Sequence, residues 1–221
     1  MTTYVVIVAG GSGTRMGTDI PKQFLPIHGV PVFIHTIKAF LAAIPDINII
    51  LVLPITHMDK GKDHLRKFLP SCKVEIVEGG ITRFNSVQNG LAGVESESIV
   101  FIHDAVRCLV SPALIQRCYL DAIQFGNSIP VIEVRDSIRK VNMDDSEVID
   151  RSLLRAVQTP QTFRADIIKQ AFDTTFDDAF TDEATVLERG GGKVHLTVGE
   201  ETNIKITYPA DLLIAEQILR P

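Results

Sequence analysis

A chain of 221 residues that is 45% hydrophobic can bury a sizeable core. Its net charge of −5 excludes a general attraction to nucleic acid or to an anionic membrane, and no apolar run approaches a membrane span. Any phosphate the chain binds must therefore be met by local charge. The N-terminal Thr2-Thr3-Tyr4 lacks the basic region of a signal peptide, and Cys72, Cys108 and Cys118 make no Cys-x-x-Cys, so reduced thiols in the cytoplasm are expected. The six His are scattered without metal-ligand spacing.

Tyr4-Val5-Val6-Ile7 is an apolar β-branched run, which predicts a strand buried on both faces. Pro31 to Ile44 places Phe33, Ile37, Phe40, Leu41 and Ile44 on one stripe, the pattern of an amphipathic helix opened by Pro. Asn48 to Leu53 reads as the next buried strand, Met58 to Phe68 as a helix, and Val74 to Val77 as a short strand ending at Glu78-Gly79-Gly80. A helix follows through Ile81 to Leu91, then a strand from Ser96 to His103. Ser111-Pro112 supplies an N-cap and an N1 Pro for a helix reaching Phe125. This alternation predicts crossover units on a Rossmann-like, mostly parallel twisted sheet flanked by helices, an α/β fold.

The pattern changes after Val131-Ile132-Glu133-Val134. Strand-like arms at Ser137 to Val141 and Glu147 to Asp150 flank a turn-rich Asn142 to Ser146, which reads as a β-hairpin. Too polar for the core, this 135–155 arm is expected to project and, because its edges need cover, to make a homodimer. Asp166 to Phe172 and Asp182 to Arg189 are further predicted helices, Lys193 to Val198 a strand, and Pro209 to Leu219 a closing helix. One domain over residues 1–221 carrying the arm is the simplest organisation.

In such sheets ligands sit beyond the carboxyl ends of the strands, which draws attention to the loops Ala9 to Gly17, Gly79 to Ser86 and Asp104 to Val110. The first reads Ala9-Gly10-Gly11-Ser12-Gly13-Thr14-Arg15-Met16-Gly17 and is followed by Pro21-Lys22-Gln23-Phe24. Glycines let backbone pass close to a ligand and their N–H groups can form an anion nest, while Arg15 and Lys22 can reach several oxygens of one polyphosphate. A P-loop would need Lys directly after its second glycine, and a dinucleotide fingerprint would need glycine where Met16 stands. A triphosphate cradle of another kind remains.

The G-G-x-G-x-R-M-G and P-K-Q-F segments together resemble the signature of sugar-phosphate nucleotidyltransferases, and within them the 2-C-methyl-D-erythritol 4-phosphate cytidylyltransferase family. Further blocks of that resemblance are His103-Asp104-Ala105-Val106-Arg107, Gly79-Gly80 with Arg83 and Ser86, Arg151 before Gln158-Thr159-Pro160-Gln161, Thr181-Asp182-Glu183-Ala184 and Asn203-Ile204-Lys205. The resemblance implies that CTP and 2-C-methyl-D-erythritol 4-phosphate are joined to 4-diphosphocytidyl-2-C-methyl-D-erythritol and pyrophosphate, in the non-mevalonate route to isoprenoid precursors. It assigns Ala9, Gly10, Gly11, Gly13, Thr14, Arg15, Lys22, Gly79, Gly80, Arg83 and Ser86 to the nucleotide. Asp104, Ala105, Arg107, Ser137, Arg151, Thr159 and Lys205 go to the acceptor, with Arg151 reaching across from the other subunit. Ribitol 5-phosphate cytidylyltransferase and a catalytically silent nucleotide-binding module are the alternatives.

Nucleotidyl transfer asks the protein chiefly for positioning and charge stabilisation, which Arg15, Lys22 and Lys205 can supply. Asp104, ending the strand Ile99 to His103, is the best-placed carboxylate to orient Mg²⁺, directly or through water. The sequence departs from the family pattern at Cys108, where Pro is usual, and at Ile81, where an acidic residue often stands. The first is expected to loosen the turn beside Arg107, and the second to remove a polar group near the ribose or base.

Overall fold

The computed structural model describes residues 1–10, 20–143 and 145–220. The strand β1 (Thr2–Val8) leads to a small ribbon of β2 (Pro26–Ile27) and β3 (Val30–Pro31), then to the helix α1 (Val32–Ala43). There follow β4 (Asn48–Leu53), α2 (Met58–Phe68), β5 (Val74–Glu78), α3 (Arg83–Ala92), β6 (Ser98–Asp104) and α4 (Pro112–Phe125). The second half holds β7 (Asn127–Glu133), β8 (Ile138–Val141), β9 (Ser146–Ile149), β10 (Arg155–Val157) and β11 (Gln161–Arg164). It closes with α5 (Ala165–Ala171), α6 (Glu183–Arg189), β12 (Leu196–Val198) and α7 (Pro209–Ile218).

The main sheet runs β10-β7-β11-β6-β1-β4-β5, with β12 paired to β7. β6, β1, β4 and β5 are mutually parallel, whereas β11 is antiparallel to both β6 and β7. Side chains alternate between two cores because the strand period is two. Val5, Ile7, Leu51 and Phe101 pack beneath α1 and α4, while Val6, Ile50, Val52, Val100 and Ile102 meet Phe84 and Val87 of α3 and Ile168 of α5. A third cluster joins Leu25, Ile27, Val106 and Cys108 to Ile206 and Ala215. Two layers of helices on one sheet follow from strands that are apolar on both faces.

Helix ends obey local chemistry. Ser111 accepts a hydrogen bond from Leu114 N–H at 3.0 Å to start α4, and Gly126 ends it in the left-handed region at φ 85°, where a side chain would be strained. Asp182 and Thr185 form a reciprocal cap on α6. The arm strands β8 and β9 form a separate antiparallel pair, with Ile138 opposite Ile149 and Lys140 in an ion pair with Glu147 at 3.0 Å. Val141, Met143, Val148 and Leu153 are exposed there. Among the described residues no helix is long and apolar enough to cross a membrane.

The predicted helices and strands of the first half recur within a few residues. The β2–β3 ribbon, the first part of β7, and β10 and β11 have no counterpart in the sequence reading. β11 falls on Gln161 to Arg164, which carries polar residues on a strand that is buried because it lies between two others.

Candidate active site

The chain steps outward from β1 to β4 and β5, then returns to the other side of β1 with β6. That reversal leaves a crevice at the carboxyl ends of β1 and β6, where the register sets Val8 opposite Asp104. Ala9 and Gly10 leave β1 at this point, Ala9 being tied by its N–H to Val52 C=O at 2.9 Å. Gln23 Nε2 donates to Ala9 C=O at 2.7 Å, and Lys22 Nζ donates to Ile206 C=O at 3.0 Å. The Pro21 to Phe24 turn is thereby latched over the end of β1, with Phe24 wedged edge-on against Phe33 at 5.6 Å between centroids. Gly11, Gly13, Thr14 and Arg15 lie outside the described residues.

A cavity of about 300 Å³ opens here, with Gly10, Lys22, Gly80, Arg83, Ser86 and Asp104 among its walls. Gly79 N–H is held by Leu53 C=O at 2.8 Å, and Gly80 N–H donates to Ser86 Oγ at 3.1 Å. The Ser86 hydroxyl donates in turn to Thr82 C=O at 2.9 Å, so its first task is to shape the loop. A Cβ on Gly80 would stand 2.3 Å from Asn85 Cβ and 3.0 Å from Asn85 backbone carbon, which is why only glycine fits against the first turn of α3. Ile81 is fully exposed at the rim of this cavity.

A second cavity of about 280 Å³ lies on the other side of Asp104, bounded by Arg107, Gln158, Thr159, Gln161 and Asp182. Arg83, Asp104 and Lys205 line both spaces and form the wall between them. Asp104 is 7% exposed. Its Oδ2 meets Lys205 Nζ at 2.9 Å and Arg107 Nε at 3.6 Å, while Oδ1 meets Arg83 at 3.3 Å. Burial opposes its charge, but Arg83, Lys205 and Arg107 outweigh burial and hold the carboxyl far below the ordinary range. Asp104 is therefore an anion that orders three cations facing two cavities.

The backbone at Asp104 is fixed as firmly as the side chain. Its N–H donates to Thr159 Oγ1 at 3.1 Å, and Thr159 Oγ1 lies 2.9 Å from His103 Nδ1. His103 Nε2 faces Arg107 C=O at 3.1 Å. Full burial lowers the His103 pKa to about 3, so the ring is neutral, and a carbonyl only accepts, so Nε2 carries the hydrogen. Nδ1 must then accept from the Thr159 hydroxyl. Asn203 completes the frame, donating from Nδ2 to Thr159 C=O at 2.8 Å and accepting Arg107 NH1 on its own C=O at 2.9 Å.

A family model described as 2-C-methyl-D-erythritol 4-phosphate cytidylyltransferase matches residues 3–221. The chain belongs to this family. A cytidylyltransferase of this name from Phocaeicola vulgatus is 45% identical over 219 residues, covering 99% of this chain and 100% of the relative. Among solved structures, the 4-diphosphocytidyl-2C-methyl-D-erythritol synthase of Anaerococcus prevotii is similar with a TM-score of 0.83 and 26% identity, covering 100% and 99% of the two chains. The 2-C-methyl-D-erythritol 4-phosphate cytidylyltransferase of Francisella tularensis gives a TM-score of 0.82 and 28% identity, covering 99% and 100%.

Of the residues that the cytidylyltransferase resemblance singles out, Gly10, Lys22, Gly80, Arg83, Ser86, Asp104, Arg107, Thr159 and Lys205 converge on the two cavities. Ala9 also lines the first cavity, and Gly79 supports it from behind. Ala105 does not join them: its methyl is fully buried in the core, its N–H donates to Val8 C=O and its C=O accepts from Thr36 Oγ1 at 2.8 Å. Ser137 and Arg151 are exposed on the arm and line neither cavity of their own chain. The turn that Cys108 was expected to loosen is closed by Arg107 N–H on Asp104 C=O at 3.0 Å, and the Cys108 thiol, pushed up to about 12 by burial, fills the third cluster. His103, Gln158, Glu183 and Asn203 stand within the matching blocks, yet the sequence assigns them no role. Their signal was that polar residues recur inside those blocks, without anything to show which partner each one meets.

Proposed function

We propose that this chain transfers the cytidylyl group of CTP to 2-C-methyl-D-erythritol 4-phosphate in the cytoplasm, releasing pyrophosphate. The observation that carries the reading is the wall of Arg83, Asp104 and Lys205 shared by two cavities, one beside Ala9-Gly10 and one beside Gln158-Thr159. CTP takes the first cavity, its base against the Gly79 to Ser86 loop and its phosphates toward Lys22 and Arg15. The acceptor takes the second, its phosphate against Arg107, Lys205 and the partner's arm. A phosphate oxygen of the acceptor attacks the α-phosphorus, the bond from that phosphorus to the bridging oxygen breaks, and pyrophosphate departs in line. Lys22, Arg15 and Lys205 neutralise charge that grows on the phosphoryl oxygens. Because Asp104 stays ionised, Lys205 and Arg107 remain oriented when the substrates arrive.

A divalent cation suits this site in one respect. Among the described residues no three His, Cys, Asp or Glu side chains cluster, but Mg²⁺ commonly takes one or two carboxylates and completes its shell with substrate phosphates and water. Asp104 would supply the carboxylate, and the ion would neutralise triphosphate charge. The arm, with Val141, Met143, Val148 and Leu153 exposed, is the surface that joins two copies and brings Arg151 to the neighbouring acceptor cavity. Three free thiols accord with a reducing compartment.

Incubation with CTP, Mg²⁺ and 2-C-methyl-D-erythritol 4-phosphate should release pyrophosphate, and excess chelator should stop it. Ribitol 5-phosphate in the same assay should release far less. Faster turnover of ribitol 5-phosphate would replace the acceptor, and no pyrophosphate from either would defeat the reading.

A further inference from the structure

We infer that Glu183 is a positioning residue of the transfer reaction, holding the Arg83 guanidinium in the wall between the two cavities so that it steadies Asp104. This rests on the function proposed above. Glu183 is 1% exposed, and a carboxylate that deep in a protein needs a partner. It has one in Arg83, a hundred residues earlier in the chain: NH1 lies on Oε1, and NH2 on Oε2 at 3.2 Å. Arg83 turns its other edge to Asp104 Oδ1, from Nε at 3.4 Å and NH2 at 3.3 Å. A guanidinium has five N–H donors, and these contacts leave a single one on NH1. Arg83 is therefore not a free hand for reading a base. It is a strut pinned between two carboxylates, with the bidentate grip on the Glu183 side.

The grip is set by the sheet. Gln161 of β11 donates from Nε2 to Asp182 Oδ2 at 2.8 Å and accepts Ala184 N–H on Oε1 at 2.9 Å, so the residues on both sides of Glu183 are fastened to a strand paired with β6. Asp104 ends β6 itself. Glu183 and Asp104 thus belong to one rigid frame, and Arg83 spans them. Holding Arg83 at Oδ1 leaves Oδ2 for Lys205 and Arg107, the cations that face the acceptor cavity. With Glu183 neutral, Arg83 is released to lean wholly on Asp104, and the division of its two oxygens is lost.

The test is a kinetic cycle of Glu183→Gln, Arg83→Lys and the double variant, with urea unfolding and CTP affinity by calorimetry measured alongside. Loss of one charge-assisted contact predicts that Glu183→Gln lowers kcat about tenfold to hundredfold, while CTP affinity changes by less than about threefold. Arg83→Lys keeps the charge but loses the fork, so it should show a similar fall in kcat. Because Glu183 acts through Arg83, the double variant should be no slower than Arg83→Lys alone. Glu183→Asp should recover most of the lost kcat. Should Glu183→Gln fail to fold, Arg83→Lys carries the test, and full kcat in that variant overturns the proposal. So does a double variant whose losses multiply, or a Glu183→Gln protein whose CTP affinity falls in step with kcat. Absence of turnover in the wild type would instead overturn the proposed function, which the wild-type assay reads separately.

Discussion

Replacing Thr159 by Val keeps the shape of the side chain and removes one hydroxyl. That hydroxyl accepts the Asp104 N–H at 3.1 Å and donates to His103 Nδ1 at 2.9 Å, in a residue only 5% exposed. The Val methyl can satisfy neither partner, so a backbone donor and a ring acceptor are stranded away from water. Each such buried group costs about 1–3 kcal/mol, for a total of roughly 2–6 kcal/mol. In a chain of this size about 2–4 °C of Tm accompanies each kcal/mol, so the midpoint should fall by roughly 4–24 °C. Thr159→Ser keeps the hydroxyl and loses a methyl, at a cost of about 1 kcal/mol. Urea unfolding of the two variants, with equal slopes, isolates the hydroxyl. If Thr159→Val proved no less stable than Thr159→Ser, the hydrogen-bond chain from Asp104 through Thr159 to His103 would be wrong.

Lys22→Ala and Arg15→Ala should each lower turnover about a hundred- to thousand-fold, some 3–4 kcal/mol, with a smaller loss of CTP affinity, and near-normal kcat in either would remove it from the transition state. The His103 pKa in the folded protein, about 3, lies below its ordinary 6.5, so the unfolded chain binds its proton first as pH falls. The stability that depends on neutral His103 is therefore complete above pH 6.5 and is lost between 6.5 and 3, by about 5 kcal/mol in all. Comparing urea unfolding of wild type and His103→Asn from pH 7 to pH 4 should show the gap between them closing, and a constant gap would contradict the buried neutral ring. For the arm, mixing inactive Arg151→Ala and Lys22→Ala proteins should restore up to about a quarter of wild-type activity, since half the dimers are mixed and each holds one intact site. Activity that stayed at background, or a monomer by sedimentation at assay concentration, would defeat the shared site.

Much of this molecule is written in short stretches of chain. Apolar β-branched runs such as Tyr4 to Ile7 and Asn48 to Leu53 had to be buried on both faces, Ser111-Pro112 had to open a helix, and the alternation of the two had to give crossover units with loops at the strand ends. The Gly-rich loop, Lys22 and the His103 to Arg107 segment carried the family and, through it, the chemistry. All of these are local signals, because periodicity, caps and loop glycines report on residues a few positions apart. Tertiary structure alone decided that β11, with polar Gln161 and Thr162, would lie between β6 and β7, since a strand's burial is set by which neighbours flank it. It decided that Ala105 faces the core and that Thr159 gives its hydroxyl to His103. It also decided that Arg83 meets Glu183 across a hundred residues of chain. Pairings of that range depend on the path of the whole backbone, and no pattern within either segment encodes the partner.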